Sequence, residues 1–106
     1  MPLTPAFTVS QSALTPENVT VTDSSTGSDV AITKRRIFFQ TSTGTYLVET
    51  GTTTDYEEWS YADVSGTWDI LDIDHALSIT VQWLSVANAV LYTLTQQFCF
   101  AMFNKQ

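Results

Sequence analysis

The chain has 106 residues with a formal net charge of −7, a mass of 11.8 kDa and a pI near 4.1, which fits one domain with a single cooperative core. Only four residues are Lys or Arg, too few for a direct nucleic-acid partner, whose phosphates are met by basic side chains. Charged residues make up 14%, against about 25% in an ordinary soluble domain, and Thr and Ser fill the deficit at more than a quarter of positions. Thr is β-branched and suits a pleated, half-buried surface, so the composition itself favours strands.

The first residues, Met1-Pro2-Leu3-Thr4-Pro5, read as an extended tail over 1–6, with neither the basic residues nor the apolar run of a secretion signal. Phe7 to Gln11 reads as the first strand. Asn18-Val19-Thr20-Val21-Thr22 alternates strictly and ends in Asp23-Ser24-Ser25-Thr26-Gly27-Ser28-Asp29, a loop by composition. Asn18-Val19-Thr20 also matches a glycosylation sequon, which falls inside the strand as a chance match. Ile32 to Gln40 is the next strand, followed by a Gly44 turn, a short return strand over Tyr46-Leu47-Val48-Glu49 and a second turn at Gly51. Asp55 to Tyr61 and Thr67 to Leu71 are weaker strands, with a turn expected at Ser65-Gly66. Ala76 to Leu84 is the strongest: Leu77, Ile79, Val81 and Trp83 fall on one face, and Ser78, Thr80 and Gln82 on the other.

From Ala87 the period changes. Val90, Leu91, Leu94, Phe98, Ala101 and Met102 recur at steps of three and four, which favours an amphipathic helix. The competing reading is a strand, with Tyr92, Leu94 and Phe98 in alternation and Thr93 and Thr95 between them. Either way, residues 87–106 form an apolar segment that must dock on the body or on a neighbouring subunit. No apolar stretch approaches the length of a membrane span, and no membrane partner is expected. Short strands closed by regular turn signals point to a mainly β fold, an antiparallel β-sandwich of immunoglobulin-like, Greek-key type, with a C-terminal helix or long edge segment appended.

Chemistry-bearing patterns are sparse. The single histidine, His75, sits beside Asp74, but strand neighbours point to opposite faces and cannot share a proton. Its phase with Ile73, Leu77 and Ile79 places it at the rim of the core face. Asp72 and Asp74 share a face near Asp69, and such carboxylates bind calcium where loop carbonyls complete the shell. The large apolar residues between them instead suit a solvated strand edge, where charge discourages aggregation. Cys99 lies between Phe98 and Phe100 with no basic neighbour, as expected of a buried, inert thiol. No enzyme, cofactor or metal is expected from these residues.

The charge layout carries more. Lys34, Arg35 and Arg36 hold three of the four basic residues, whereas Glu49, Asp55, Glu57, Glu58, Asp63, Asp69, Asp72 and Asp74 run without a Lys or Arg among them. These charges can pair within the domain. They can also fix register between identical subunits, with Lys34, Arg35 and Arg36 of one copy facing Glu57, Glu58, Asp72 and Asp74 of the next, and Trp68 and Phe98 supplying apolar contact. Trp59, Tyr61 and Trp68 lie within the acidic stretch, a mixture that suits a protein interface and equally a sugar-binding face, where rings stack on pyranoses.

Two groups of segments resemble a known class. One comprises Leu3-Thr4-Pro5-Ala6-Phe7-Thr8-Val9, Val21-Thr22-Asp23-Ser24-Ser25-Thr26-Gly27-Ser28 and Ile32-Thr33-Lys34-Arg35-Arg36-Ile37. The other is Asp74-His75-Ala76-Leu77-Ser78-Ile79-Thr80-Val81-Gln82-Trp83-Leu84. Together they resemble small virion structural proteins of tailed bacteriophages, in particular crAss-like phages of gut Bacteroidetes. The resemblance implies a non-enzymatic β-sandwich subunit, made in the host cytoplasm and located in the virion. Its partners would be itself and other virion proteins, in a ring or on the particle surface at the neck or tail. The alternative from the residues alone is a carbohydrate- or receptor-binding β-sandwich using Trp59, Tyr61 and Trp68.

Overall fold

The computed structural model describes residues 2–12, 14, 18–40, 56–69 and 78–98. Seven strands follow in chain order: β1 (Phe7–Gln11), β2 (Asn18–Asp23), β3 (Ile32–Gln40), β4 (Glu57–Ser60), β5 (Ser65–Asp69), β6 (Ser78–Ser85) and β7 (Val90–Gln97). They form two antiparallel sheets, ordered β1-β2-β5 and β4-β3-β6-β7, packed together as a sandwich. In the seven-strand immunoglobulin arrangement, strands in the order 1-2-5-4 face strands 3-6-7. Among the described strands, β4 pairs with β3 instead.

Each sheet turns its alternate residues inward. Val19 and Val21 of β2 face Ile37 and Phe39 of β3 and Ile79, Val81 and Trp83 of β6, all with no exposed surface. Phe7, Ile32 and Trp59 close the periphery of this core, and Val9, Trp68, Tyr92 and Leu94 pack against it half-buried. Rings also lock the two sheets together: Trp68 of β5 meets Trp59 of β4 edge-on at 4.9 Å and Phe39 of β3 at 6.2 Å. Trp68 folds back over its own strand at Gly66, where a Cβ would collide with the indole ring.

Two expectations change. Residues 90–97 are a strand, not a helix, in register with β6 from Ser78↔Gln97 to Trp83↔Tyr92. Tyr92, Leu94 and Gln96 are half-buried while Thr93, Thr95 and Gln97 are exposed, and the Thr80 and Thr95 hydroxyls bond at 2.7 Å. Two-residue alternation and cross-strand partners therefore outweigh the three-and-four spacing of the aliphatics. Ser65 and Gly66 lie inside β5 rather than in a turn, because Thr22 and Val21 pair with them; the turn is Tyr61–Val64. Leu84, which follows the alternating series, also has no exposed surface, and it sits where the β6–β7 register shifts. The return strand at Tyr46–Glu49, and Asp72, Asp74, His75, Leu77 and Cys99, lie outside the described residues.

Candidate functional site

Strand parity sends Arg35 inward and Lys34 and Arg36 outward, and that split decides what each does. Arg35 stands directly across from Trp59 of β4 and Trp83 of β6 and is 2% exposed. Its Nε donates to Asp23 Oδ2 at 2.8 Å, and its Nη1 donates to the carbonyls of Ser60 at 2.9 Å and Asp63 at 2.8 Å. The guanidinium lies 5.0 Å from the ring centre of Trp59 and 4.5 Å from that of Tyr61. Trp83 Nε1 donates to the same Asp23 oxygen at 2.9 Å, and the Ser25 amide donates to Asp23 Oδ1 at 2.8 Å. Burial alone would push the Asp23 pKa up, but hydrogen bonds from Ser25, Trp83 and Arg35 hold it below its ordinary value. This cluster ties β2 of one sheet to β3 and β6 of the other and to the β4–β5 turn.

On the outer face, Lys34 Nζ and Arg36 Nη2 both reach Glu58 of the neighbouring strand, at 3.2 Å and 2.9 Å. Burial raises the Glu58 pKa, and its bonds to Arg36 and Lys34 more than reverse that. Adjacent Glu57 moves the other way, pushed up by burial and by the Glu58 charge. Arg36 also stacks on Tyr56 at 4.3 Å.

The basic knot is therefore paired within the domain, and the expectation of Arg35 as an interface residue is corrected: its charge is consumed in the core. Stacking roles expected of the aromatics are corrected in part. Trp59 is 8% exposed, Tyr61 holds the Arg35 guanidinium, and Trp68 is packed on Trp59 and Phe39. Phe98 is half-buried against the core. Asp72 and Asp74 lie outside the described residues. Among the described residues, no group of three or more His, Cys, Asp and Glu is placed to hold a metal ion, and the indole N–H of Trp59 is buried without a hydrogen-bond partner.

A surface that the sequence reading missed lies at one end of the sandwich. The β2–β3 loop enters β3 at Ile32, opposite Ser85, where the β6–β7 hairpin begins. The β4–β5 turn is held to the same end by Tyr61 N donating to Thr33 O and Asp23 N donating to Val64 O. Three loops thus converge, and each presents an aliphatic side chain to solvent: Val30 fully exposed, Val86 84% exposed and Val64 56% exposed. Val90 and Leu91 extend the apolar character onto the start of β7, at 48% and 37%. An open depression of about 400 Å³ runs between Val86 and Lys34, Glu58 and Trp59. The signal available in the sequence was an aliphatic residue inside each turn, where polar residues are the rule.

No protein-family model, curated protein or solved structure matches the chain.

Proposed function

We propose that the chain is a non-enzymatic structural subunit that works by protein–protein contact, the class implied by its resemblance to tailed-phage virion proteins. The observation that carries this reading is the gathering of Val30, Val64 and Val86 at one loop end, joined by Val90 and Leu91. Scattered exposed aliphatics are ordinary, but several on converging loops suit an interface. In a virion this end would seat on a neighbouring subunit, with the paired and largely neutral outer faces left to solvent. The sugar-binding alternative is weakened by the burial of Trp59 and the internal packing of Trp68.

Sedimentation velocity on the purified chain tests the proposal, with Val30→Asp/Val86→Asp as the variant, since both side chains are exposed and neither supports the core. Concentration-dependent oligomers in the parent, reduced in a variant that melts where the dilute, monomeric parent melts, support the assembly reading. Identical association of parent and variant refutes the loop end as the contact. A monomer that binds glycans through Trp68 would establish the alternative.

A further inference from the structure

Among the described residues, three of the four sheet edges carry something that blunts or shortens them along their length, whereas the irregularity of β7 is confined to its start, at Val90–Tyr92, and leaves Tyr92–Gln97 in regular register. β4 carries Glu57 and Glu58, and β5 contains Gly66 and ends at Asp69. β1 has five residues, and the carbonyl of its Phe7 accepts a bond from Gln96 Nε2 at 3.2 Å. β7 has eight residues, about 26 Å at a rise of ~3.3 Å per residue, and contains no charge, Pro or Gly. Among the described residues its strand partner is β6 alone. Its surroundings match: the sequence has no charged side chain from Ala76 to Asn104, so β6 and β7 are both neutral. Natural sheets protect such edges with Lys, Pro or bulges, because an open ladder templates another strand.

We propose that β7 pairs antiparallel with β7 of a second copy of this chain, extending the four-stranded sheet across a two-fold axis. The inference rests on the assembly reading but concerns a different surface from the loop end. Charge selects the partner: each copy carries −7, and two copies meeting along β4 would oppose Glu57 and Glu58, whereas along β7 they oppose no charge. Two identical antiparallel strands are self-complementary about a two-fold axis, donor to acceptor in both directions. The side chains suit it too. Thr93 and Thr95 are exposed, and the Thr80–Thr95 hydroxyl bond is the start of a ladder that Thr residues of a second β7 continue. On the inner side, the half-buried Tyr92 and Leu94 gain cover from the partner strand.

The test uses two variants of the full chain. In a register whose two-fold axis passes near Leu94, the centre of β7, Thr93→Asp/Thr95→Asp and Thr93→Lys/Thr95→Lys each place like charges near one another, and cross-strand like charges are destabilising. In sedimentation velocity the parent should reach twice its 11.8 kDa mass, and each variant alone should run as a monomer that melts where the parent melts once the parent is diluted below pairing. An equimolar mixture of the two should restore the pair, which a merely unfolded edge would not do. Amide exchange along β7 should slow with concentration in the parent alone. A monomeric parent overturns the proposal, as do β7 amides protected equally at all concentrations, the sign of a segment of the same chain covering the edge. A pair that survives Thr93→Asp/Thr95→Asp but is lost in Val30→Asp/Val86→Asp overturns it too, and leaves the assembly reading standing.

Discussion

Replacing Arg35 with Met removes one partner of a buried ion pair while keeping a side chain of similar reach. The structure sets the scale. Asp23 loses its 2.8 Å charged donor, and the carbonyls of Ser60 and Asp63 lose theirs, at a site where the two side chains are 3% and 7% exposed. Breaking such a pair from one side costs about 3–5 kcal/mol. Trp83 and Ser25 go on donating to Asp23, which places the expectation at the lower end, about 3 kcal/mol out of a total of roughly 5–15. The melting temperature should then fall by roughly 12 °C or more. Urea unfolding followed by tryptophan fluorescence should show a lower midpoint at an unchanged slope. Asp23→Asn gives the second corner of a double-mutant cycle, and the doubly substituted chain should lose less than the two singles together. The pair also sets a pH dependence. Its folded pKa lies below the ordinary 3.8, so its stabilisation is complete above the unfolded value and drains away as pH falls through the folded one. Below pH about 4 the parent should lose stability more steeply than Asp23→Asn. A loss under about 1 kcal/mol for Arg35→Met, within the range of an exposed pair, would refute the assignment of Arg35 as the tie between the sheets.

Gly66→Ala should displace the Trp68 ring that lies over it, costing about 1–3 kcal/mol, with the tryptophan emission shifted toward that of a solvated indole. Tyr92→Phe removes the hydroxyl that donates to Asp29 at 2.8 Å and accepts from the Leu3 amide at 3.3 Å; amide exchange at Leu3 should quicken while the β6 core amides stay protected. Glu58→Gln leaves Lys34 and Arg36 with a neutral partner on an exposed face, so stability should fall by no more than about 1 kcal/mol, and the difference from the parent should shrink in high salt.

The fold was legible wherever a strand buries one face only. Phe7–Gln11 and Ile32–Gln40 begin and end where alternation and flanking turn residues place them, and the inward series Ile79, Val81, Trp83 is buried as its parity demands. Legibility failed where pairing rather than pattern decides the outcome. The aliphatics of residues 90–102 fit two periods, and only β6, with Thr80 set against Thr95, breaks the tie. Gly66 carries an ordinary turn signal, overridden because β2 pairs with it and Trp68 needs the space a side chain would fill.

The buried cluster was written in the same parity that gave the core. Asp23 stands two residues beyond Val21 and four beyond Val19, so it belongs to the inward face of β2. Arg35 stands two before Ile37 and four before Phe39, on the inward face of β3, and Trp83 closes the inward series of β6. An Arg in phase with a core stripe is a demand for a buried carboxylate, since an unpaired charge there would cost more than the domain can bear. Asp23 meets the same inward condition, and the Trp83 indole N–H finds its acceptor there as well. Lys34, Arg35 and Arg36 do not act as one patch, because consecutive strand residues alternate faces: Arg35 answers to the core, whereas Lys34 and Arg36 answer to Glu58 across the ladder. With Lys34, Arg35 and Arg36 paired inside the domain, the assembly proposed above would draw on surfaces other than the basic strand. The exposed valines of the loop end and the uncharged β7 edge are the surfaces the two proposals name.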